Sequence, residues 1–110
     1  MVVMLSGLDG GRAAEVGAAL ARETGWRLVN GSDHDAASLH ALAAAALDRR
    51  ERLIVECRAL DAGERDAVRG DLRTVRFVVS NHATDPGAVA IDPSQTALET
   101  VSRIRRELGL

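Results

Sequence analysis

The sequence contains no lysine, since all 14 of its basic residues are arginine. No lysine ammonium is therefore available to hold a phosphate as a point charge. The arginines are interleaved with acidic residues, as in the segment Asp48-Arg49-Arg50-Glu51-Arg52, and the formal net charge is −2. A general attraction to nucleic acid or to an anionic membrane is not expected from this charge balance.

Aromatic residues and cysteine are also scarce, with Trp26, Phe77 and Cys57 as the only examples. Two aromatics are too few for the stacking platform of a single-stranded nucleic-acid binder. A single cysteine excludes an internal disulfide. Cys57 ends an apolar run and has no base near it in the sequence, so it is predicted to be a small core residue rather than a nucleophile.

Long apolar runs are absent as well. None approaches the roughly 18 residues of a membrane span, and no basic region precedes an apolar stretch at the N-terminus. We therefore expect a cytoplasmic protein with no membrane or nucleic-acid partner. The length of 110 residues predicts one domain, 1–110, with a single core.

What the sequence does contain is an alternation of strand-like and helix-like segments, which predicts an α/β fold. We expect a three-layer sandwich with a five-stranded, mainly parallel sheet. The predicted strands are 2–6, 26–29, 52–57, 74–79 and 88–92. The predicted helices are 12–23, 33–50, 59–69 and a last helix that begins after Thr96 and includes Leu108. Only 81–87 separates the last two strands, so both a parallel return and an antiparallel hairpin in a mixed sheet are open, with the parallel return preferred.

Three of the helices carry more detailed predictions. Ser32-x-x-Asp35 resembles a capping box at the start of the second helix, and Thr96-x-x-Glu99 caps the last one. The spacing of apolar residues in the last helix predicts its buried face, which is Leu98, Val101, Ile104 and Leu108. The charged residues of the third helix predict a solvated face, which consists of Asp61, Glu64, Arg65, Asp66 and Arg69.

A glycine turn, Gly7-Leu8-Asp9-Gly10-Gly11-Arg12-Ala13-Ala14, joins the first strand to the first helix. This is the layout of a phosphate-binding loop, G-x-x-x-x-G-K-[ST], in which the lysine and the hydroxyl contact the phosphates and the magnesium ion. Counted from Gly7, the chain has Arg12, Ala13 and Ala14 where the motif has glycine, lysine and serine or threonine. Asp9 also places a carboxylate beside the expected anion site. A strand-to-helix turn without a ligand is the favoured interpretation. The phosphate-loop remnant consists of Gly7, Asp9, Gly10, Gly11, Arg12, Ala13 and Ala14.

A polar cluster, 30–35, follows the second strand with the sequence Asn-Gly-Ser-Asp-His-Asp. Loops after the carboxyl ends of the strands form the ligand crevice of an open α/β sheet. Asp33 is the candidate catalytic base, and His34 is a candidate proton carrier. Helix capping explains most of this composition without catalysis. His34 and His40 would lie on different helix faces, so no metal site is predicted.

Three stretches together resemble the small-molecule P-loop kinases, particularly gluconate kinase and its shikimate-kinase-like relatives. They are the strand and turn 2–11, the segment 53–69 and the ending 91–110. Within 53–69, Cys57-Arg58-Ala59-Leu60 followed by Arg65-Asp66-Ala67-Val68-Arg69 is similar to the gluconate kinase segment C-S-A-L-K-R-x-Y-R-D-x-L-R. The resemblance implies the P-loop kinase fold and, for an active member, phosphoryl transfer from ATP with Mg²⁺.

The departures from the family concern its chemistry. The lysine and hydroxyl positions of the family's phosphate loop fall on Ala13 and Ala14. Its D-G-D after the second strand falls near residues 30–32, with Asp33 next to it, and the lysine of the middle motif falls on Asp61. The resemblance further implies that the substrate insertion and the lid are missing, the lid being cut to 81–87.

The sequence leaves three hypotheses open. The first is a catalytically inactive kinase-like domain that acts as an interaction or regulatory module and needs no cofactor. The second is a minimal ATP- and Mg²⁺-dependent kinase of sugar acid-type molecules, in which Arg12 replaces the lysine and Asp33 is the base. The third is a weak anion or nucleotide sensor without turnover. A homodimer or another protein partner is expected at the fifth strand, whose segment 88–91 is an uncharged sheet edge.

Overall fold

The computed structural model describes residues 1–8, 10–80, 88–92 and 94–110. Within these ranges the strands are β1 Val2–Ser6, β2 Arg27–Asn30, β3 Leu53–Cys57, β4 Val75–Ser80 and β5 Ala88–Ile91. The helices are α1 Gly10–Thr24, α2 Ala36–Asp48, α3 Ala62–Arg69 and α4 Ala97–Leu108. None of these helices is long and apolar enough to cross a membrane.

The strands form one sheet in the order β2-β3-β1-β4-β5, with every neighbouring pair parallel. β1 lies at the centre between β3 and β4, and all five of its residues are buried. Continuous burial is typical of a parallel strand that has helices on both faces. The predicted α/β architecture is confirmed.

The helices form two layers because the side chains of a strand alternate between the faces of the sheet. Val2 and Met4 belong to a core cluster that also contains residues of α2 and α3. Val3 and Leu5 belong to a second cluster that contains residues of α1 and α4. The sheet therefore separates an α2/α3 layer from an α1/α4 layer.

The direction of β5 is parallel, because 77–80 pair in parallel register with Ala88–Ile91. The preferred alternative is confirmed and the mixed sheet is wrong. β5 is also an edge strand, as predicted. The shortened lid was predicted at the connection 81–87, which lies outside the described residues.

α4 has the predicted capping box, and three of the four residues of its predicted buried face, Val101, Ile104 and Leu108, pack against the core. Thr96 Oγ1 accepts a hydrogen bond from Glu99 N at 3.2 Å, and Glu99 Oε1 accepts one from Thr96 N at 3.2 Å. Leu98, however, is 64% exposed, so its predicted burial is wrong. The stripe that faces the sheet runs through 97, 101, 104 and 108, and Leu98 lies about 100° around the helix from its neighbour at 97.

The cap of α2 also differs from the prediction. Asp35 is the N-cap, and its Oδ1 accepts a hydrogen bond from Ser38 N at 2.8 Å. Ser32 lies outside the helix, where its N and Oγ both donate to Asn30 Oδ1, at 3.0 and 2.7 Å. The predicted box of Ser32 with Asp35 is therefore wrong, because the Asn30 side chain holds Ser32 in a local turn.

Replacing Asp35→Ala is expected to lower the melting temperature by about a few degrees, as the loss of a helix N-cap does. The hydrogen bond from Ser38 holds the pKa of Asp35 below its usual value. The stabilisation by this cap should therefore be complete above the unfolded-state pKa of about 3.9 and be lost as the pH falls through the lower folded-state pKa. Thermal unfolding at neutral and acidic pH checks both statements. The matched control Ser32→Ala should leave the melting temperature unchanged, and an equal loss in both variants would contradict the assignment of the cap.

The charged face of α3 is not wholly solvated. Arg65 is only 5% exposed, and its Nη1 donates to the carbonyl oxygen of Leu60 at 2.7 Å. The prediction of a solvated face is wrong at this residue, since an arginine can bury its stem when its guanidinium finds acceptors. α3 instead begins with a capping box of Asp61 and Glu64, which the D-x-x-E spacing could have revealed.

Candidate functional site

The carboxyl ends of β1, β2 and β3 lie side by side because the three strands are adjacent and parallel. Ser6 pairs with Cys57 at this edge, and Asn30 pairs with Glu56. Open α/β sheets bind their ligands at this edge. Both of the predicted site segments, the glycine turn and the cluster 30–35, begin here.

The turn after β1 packs closely on the segment after β3. Ser6 Oγ donates to the carbonyl oxygen of Arg58 at 3.2 Å and accepts a hydrogen bond from Leu60 N at 3.1 Å. Gly7 has φ 74°, and a Cβ added to it would lie 3.2 Å from the Cβ of Ala59. Both the left-handed backbone and the close approach require glycine at this position.

α1 begins at Gly10, two residues earlier than predicted. Residues 10–12, which a phosphate loop keeps outside the helix, thus belong to its first turn. α1 therefore begins within the span that the motif, counted from Gly7, assigns to the loop. Asp9 lies outside the described residues, so its predicted effect on an anion stays a prediction.

The residues at the lysine and hydroxyl positions of the loop offer no group to a nucleotide. Ala13 is 8% exposed and belongs to the buried side of α1, while Ala14 is exposed. Arg12 extends toward α4, where its Nη2 donates to Thr100 Oγ1 at 3.4 Å. Its Nη1 also lies 3.9 Å from Glu15 Oε2. The one basic side chain of the remnant is therefore attached to the α1/α4 layer.

The cluster 30–35 is organised by backbone contacts and capping. Gly31 is buried, and its N donates to the carbonyl oxygen of Glu56 at 2.7 Å. A Cβ at Gly31 would lie 2.8 Å from Val55 Cγ1, so close packing explains this glycine. Asp33 is exposed and forms no hydrogen bond or ion pair within the described residues. Asp33 precedes α2, whereas the guanidinium of Arg12 is held against α4.

An ion pair that the sequence analysis missed lies at the same edge. Arg58 Nη2 donates to Glu64 Oε2, and Arg58 Nη1 donates to the carbonyl oxygen of Ala59 at 3.2 Å. The hydrogen bond from Arg58 is the main reason that the pKa of Glu64 is lowered. Arg58 is the basic side chain nearest in sequence to the end of β3, but its guanidinium is already bound by the carboxylate of Glu64. The six-residue spacing of this pair is not a helical i,i+4 signal, so the sequence did not reveal it.

Glu56 is a second residue that the sequence analysis passed over. It is a half-buried carboxylate in an otherwise apolar strand, Leu53–Cys57. A Cβ added to Gly17 of α1 would lie 2.7 Å from Glu56 Oε1, so Gly17 leaves room for this carboxylate beneath the helix. A lone charged residue within a buried strand was the available sequence signal.

Cys57 is a buried thiol, as predicted. It is 6% exposed, and its Sγ donates to the carbonyl oxygen of Leu5 at 3.5 Å. Burial raises the pKa of this thiol to about 11, although a hydrogen bond with Ser6 and the charge of Arg58 act in the opposite direction. The thiolate, which is the nucleophile, is therefore almost absent at neutral pH.

Cys57 is expected to react with a disulfide reagent such as DTNB at least about 100-fold more slowly in the folded protein than in urea at the same pH, because its pKa lies above that of a free thiol near 8.5. The release of the coloured thiolate product measures both rates. A folded-state rate close to that of glutathione would contradict the burial of the thiol.

Within the described residues, no three His, Cys, Asp or Glu side chains converge to hold a metal ion. His40 has a structural contact instead, because its Nδ1 lies 2.8 Å from the carbonyl oxygen of Val68 in α3. A Cβ at Gly70 would lie 2.8 Å from His40 Cε1. His40 thus joins α2 to the end of α3.

Comparison with solved structures identifies the fold that these strands and helices form. A sugar kinase from Janibacter sp. HTCC2649 matches with a TM-score of 0.81 at 18% identity, over 98% of this chain and 94% of that one. The chain has the same fold as that structure. A gluconokinase from Sinorhizobium meliloti 1021 matches with a TM-score of 0.73 at 21% identity, over 98% of this chain and 91% of that one. The resemblance to gluconate kinases is thus confirmed as a resemblance of fold. No protein family and no curated protein matches the sequence.

Proposed function

We propose that this kinase-like domain transfers no phosphoryl group and acts as an interaction or regulatory module. The observation that carries the proposal is the early start of α1 at Gly10, which leaves only 7–9 outside the helix. Phosphoryl transfer in P-loop enzymes depends on positioning the phosphates and neutralising their charge. N–H groups drawn into the first turn of a helix point along its axis rather than curling around the phosphates, and fold alone does not imply activity.

The side chains of the turn support the same proposal. Ala13 and Ala14 supply neither a cation nor a ligand for Mg²⁺. Arg12 is the residue that a minimal kinase would need, but its guanidinium is engaged by Thr100 and Glu15. Reaching a phosphate would require it to leave α4.

A thermal unfolding series with ATP, with and without Mg²⁺, tests the proposal. A nucleotide at 100 times its dissociation constant stabilises a fold by about 2.7 kcal/mol, which is many degrees for a chain of this size. We expect no Mg²⁺-dependent change in the melting temperature at millimolar ATP. A clear Mg²⁺-dependent rise would refute the inactive assignment. Loss of that rise in Arg12→Ala would then favour the minimal kinase.

We propose a second copy of the chain as the partner of this module. β5 is an edge strand, and its residues 88–91 are uncharged. Leu98 on the neighbouring α4 is 64% exposed, which is the highest exposure of a large hydrophobic residue in the described part of the chain. An uncharged edge and an exposed leucine are features that a symmetric dimer can cover. Light scattering over a range of micromolar concentrations tests this, and a mass that stays near the 11.7 kDa of one chain would rule the dimer out.

A further inference from the structure

A depression lies at the amino edge of the sheet, on the opposite side of the fold from the candidate site. Its volume is about 430 Å³, and its lining includes Met1, Glu23, Trp26, Arg52, Arg105 and Leu110. These residues lie at or just after the ends of α1 and α4 and directly before β1, β2 and β3. The volume lies within the range of small-molecule sites, about 300–1,000 Å³.

The apolar part of the lining centres on Trp26. This indole is half-buried and packs, together with Met1 and Leu110, against the core cluster beneath α1 and α4. The backbone before β2 is fixed, since Trp26 N donates to Thr24 Oγ1 at 3.2 Å. A tryptophan held in this way at the wall of a depression is a surface on which a flat ring can stack.

The charged part of the lining contains more positive than negative groups. Arg105 Nη1 donates to Glu23 Oε2 at 3.3 Å, but Arg105 Nε is buried and has no hydrogen-bond acceptor within the described residues. Arg52 is exposed and forms neither a hydrogen bond nor an ion pair in that part of the chain. Together with the amino group of Met1 and the carboxylate of Leu110, the lining thus offers three cationic groups against two carboxylates.

The position of Arg105 has a simple structural explanation, but that of Arg52 does not. Arg105 lies in the last turn of α4, where a cation complements the helix dipole. Arg52 precedes β3 and caps no helix. Its acidic neighbour, Glu51, already lies 3.7 Å from both Arg27 and Arg49. Desolvation and then the charge of Arg52 lower the pKa of the amino group of Met1, and both residues line the depression.

We propose that this depression binds a small planar anion, that is, an aromatic ring carrying a carboxylate or phosphate group. The ring stacks on Trp26. The anionic group accepts hydrogen bonds from the exposed guanidinium of Arg52, and the half-buried guanidinium of Arg105 adds positive charge beside it, since charge-assisted bonds from arginine to such groups are among the stronger polar contacts. Neither half of the lining would select such a ligand alone.

Trp26 fluorescence tests the proposal directly, because this is the only tryptophan in the chain. The sample for this test is the 110-residue chain without an affinity tag, because Met1 and Leu110 both line the depression. AMP and phthalate are the probes, and adenosine and inorganic phosphate represent the two halves of AMP. Excitation at the red edge of the tryptophan absorption avoids absorption by the probes, and isothermal titration calorimetry gives the affinities.

We expect a saturable signal with AMP or phthalate, and for AMP an affinity at least about tenfold higher than that of adenosine or inorganic phosphate, because only the whole ligand uses both halves of the lining. Arg52→Gln should weaken the binding by about tenfold. Arg49→Gln is the matched control, because it removes the same charge three residues away, outside the lining. The proposal is overturned if neither probe gives a saturable signal, if phosphate alone binds as well as AMP, or if both variants bind equally.

This inference does not rest on the proposed function. Binding at the amino edge should be independent of Mg²⁺ and should be lost in Arg52→Gln. Nucleotide binding at the glycine turn would depend on Mg²⁺ and would persist in that variant. The two outcomes can therefore be told apart in the same titration.

Discussion

The triple variant Arg12→Gly, Ala13→Lys, Ala14→Ser, which restores the phosphate-loop motif, is expected to be less stable than the natural chain and still to bind no Mg·ATP. The main cause is Ala13, which is 8% exposed and faces the core side of α1. A lysine there overfills packed space, which costs about 1–3 kcal/mol, and must bring its charge past apolar neighbours. Because α1 already begins at Gly10, the new lysine lies within a helix rather than at the end of a phosphate loop.

Thermal unfolding with and without Mg·ATP measures both effects. The single variant Ala14→Ser is the control, because residue 14 is exposed and a surface change is expected to stay within about 0.5 kcal/mol. If Mg·ATP raises the melting temperature of the triple variant by many degrees, the turn has kept the geometry of a phosphate loop. The inactivity of the natural chain would then be due to its side chains alone.

The fold could be predicted from the sequence because its signals are local and repeated. Each strand is a short apolar run, and each is separated from the next by a turn or a helical pattern. The direction of β5 was left open because the connection 81–87 is short, and direction depends on pairing with β4 rather than on the composition of either strand. Pairing between two strands produces no recognisable pattern in the sequence of either strand.

The candidate site was only partly predictable, because its decisive features are contacts between distant residues. The loss of the lysine and hydroxyl positions can be seen directly at Ala13 and Ala14. The attachment of Arg12 to Thr100 joins residues that are 88 positions apart, and no spacing rule connects them. Similarly, the capture of Ser32 by Asn30 competes with the capping box that the sequence pattern favoured.

In the last helix, an error of one residue in the counted periodicity changes which side chains are predicted to be buried. A stripe counted from Leu98 and a stripe counted from its neighbour at 97 both include 101, 104 and 108 when spacings of three and four are allowed. Only the packing of α4 on β5 and α1 distinguishes them. In the structure Ile104 is fully buried, whereas Leu98 is 64% exposed.

Ile104→Ala is therefore expected to destabilise the fold by about 2–5 kcal/mol, because it removes buried methyl groups and leaves a cavity beneath α4. That is a large share of the roughly 5–15 kcal/mol of a typical domain. Leu98→Ala is the matched control on the same helix. It removes a similar volume from an exposed position and should change the free energy of unfolding by no more than about 0.5 kcal/mol. Urea unfolding at low micromolar concentration measures both values. Equal losses would mean that Leu98 is buried in solution, and a loss for Leu98→Ala that grows with protein concentration would identify the burying surface as a second copy of the chain.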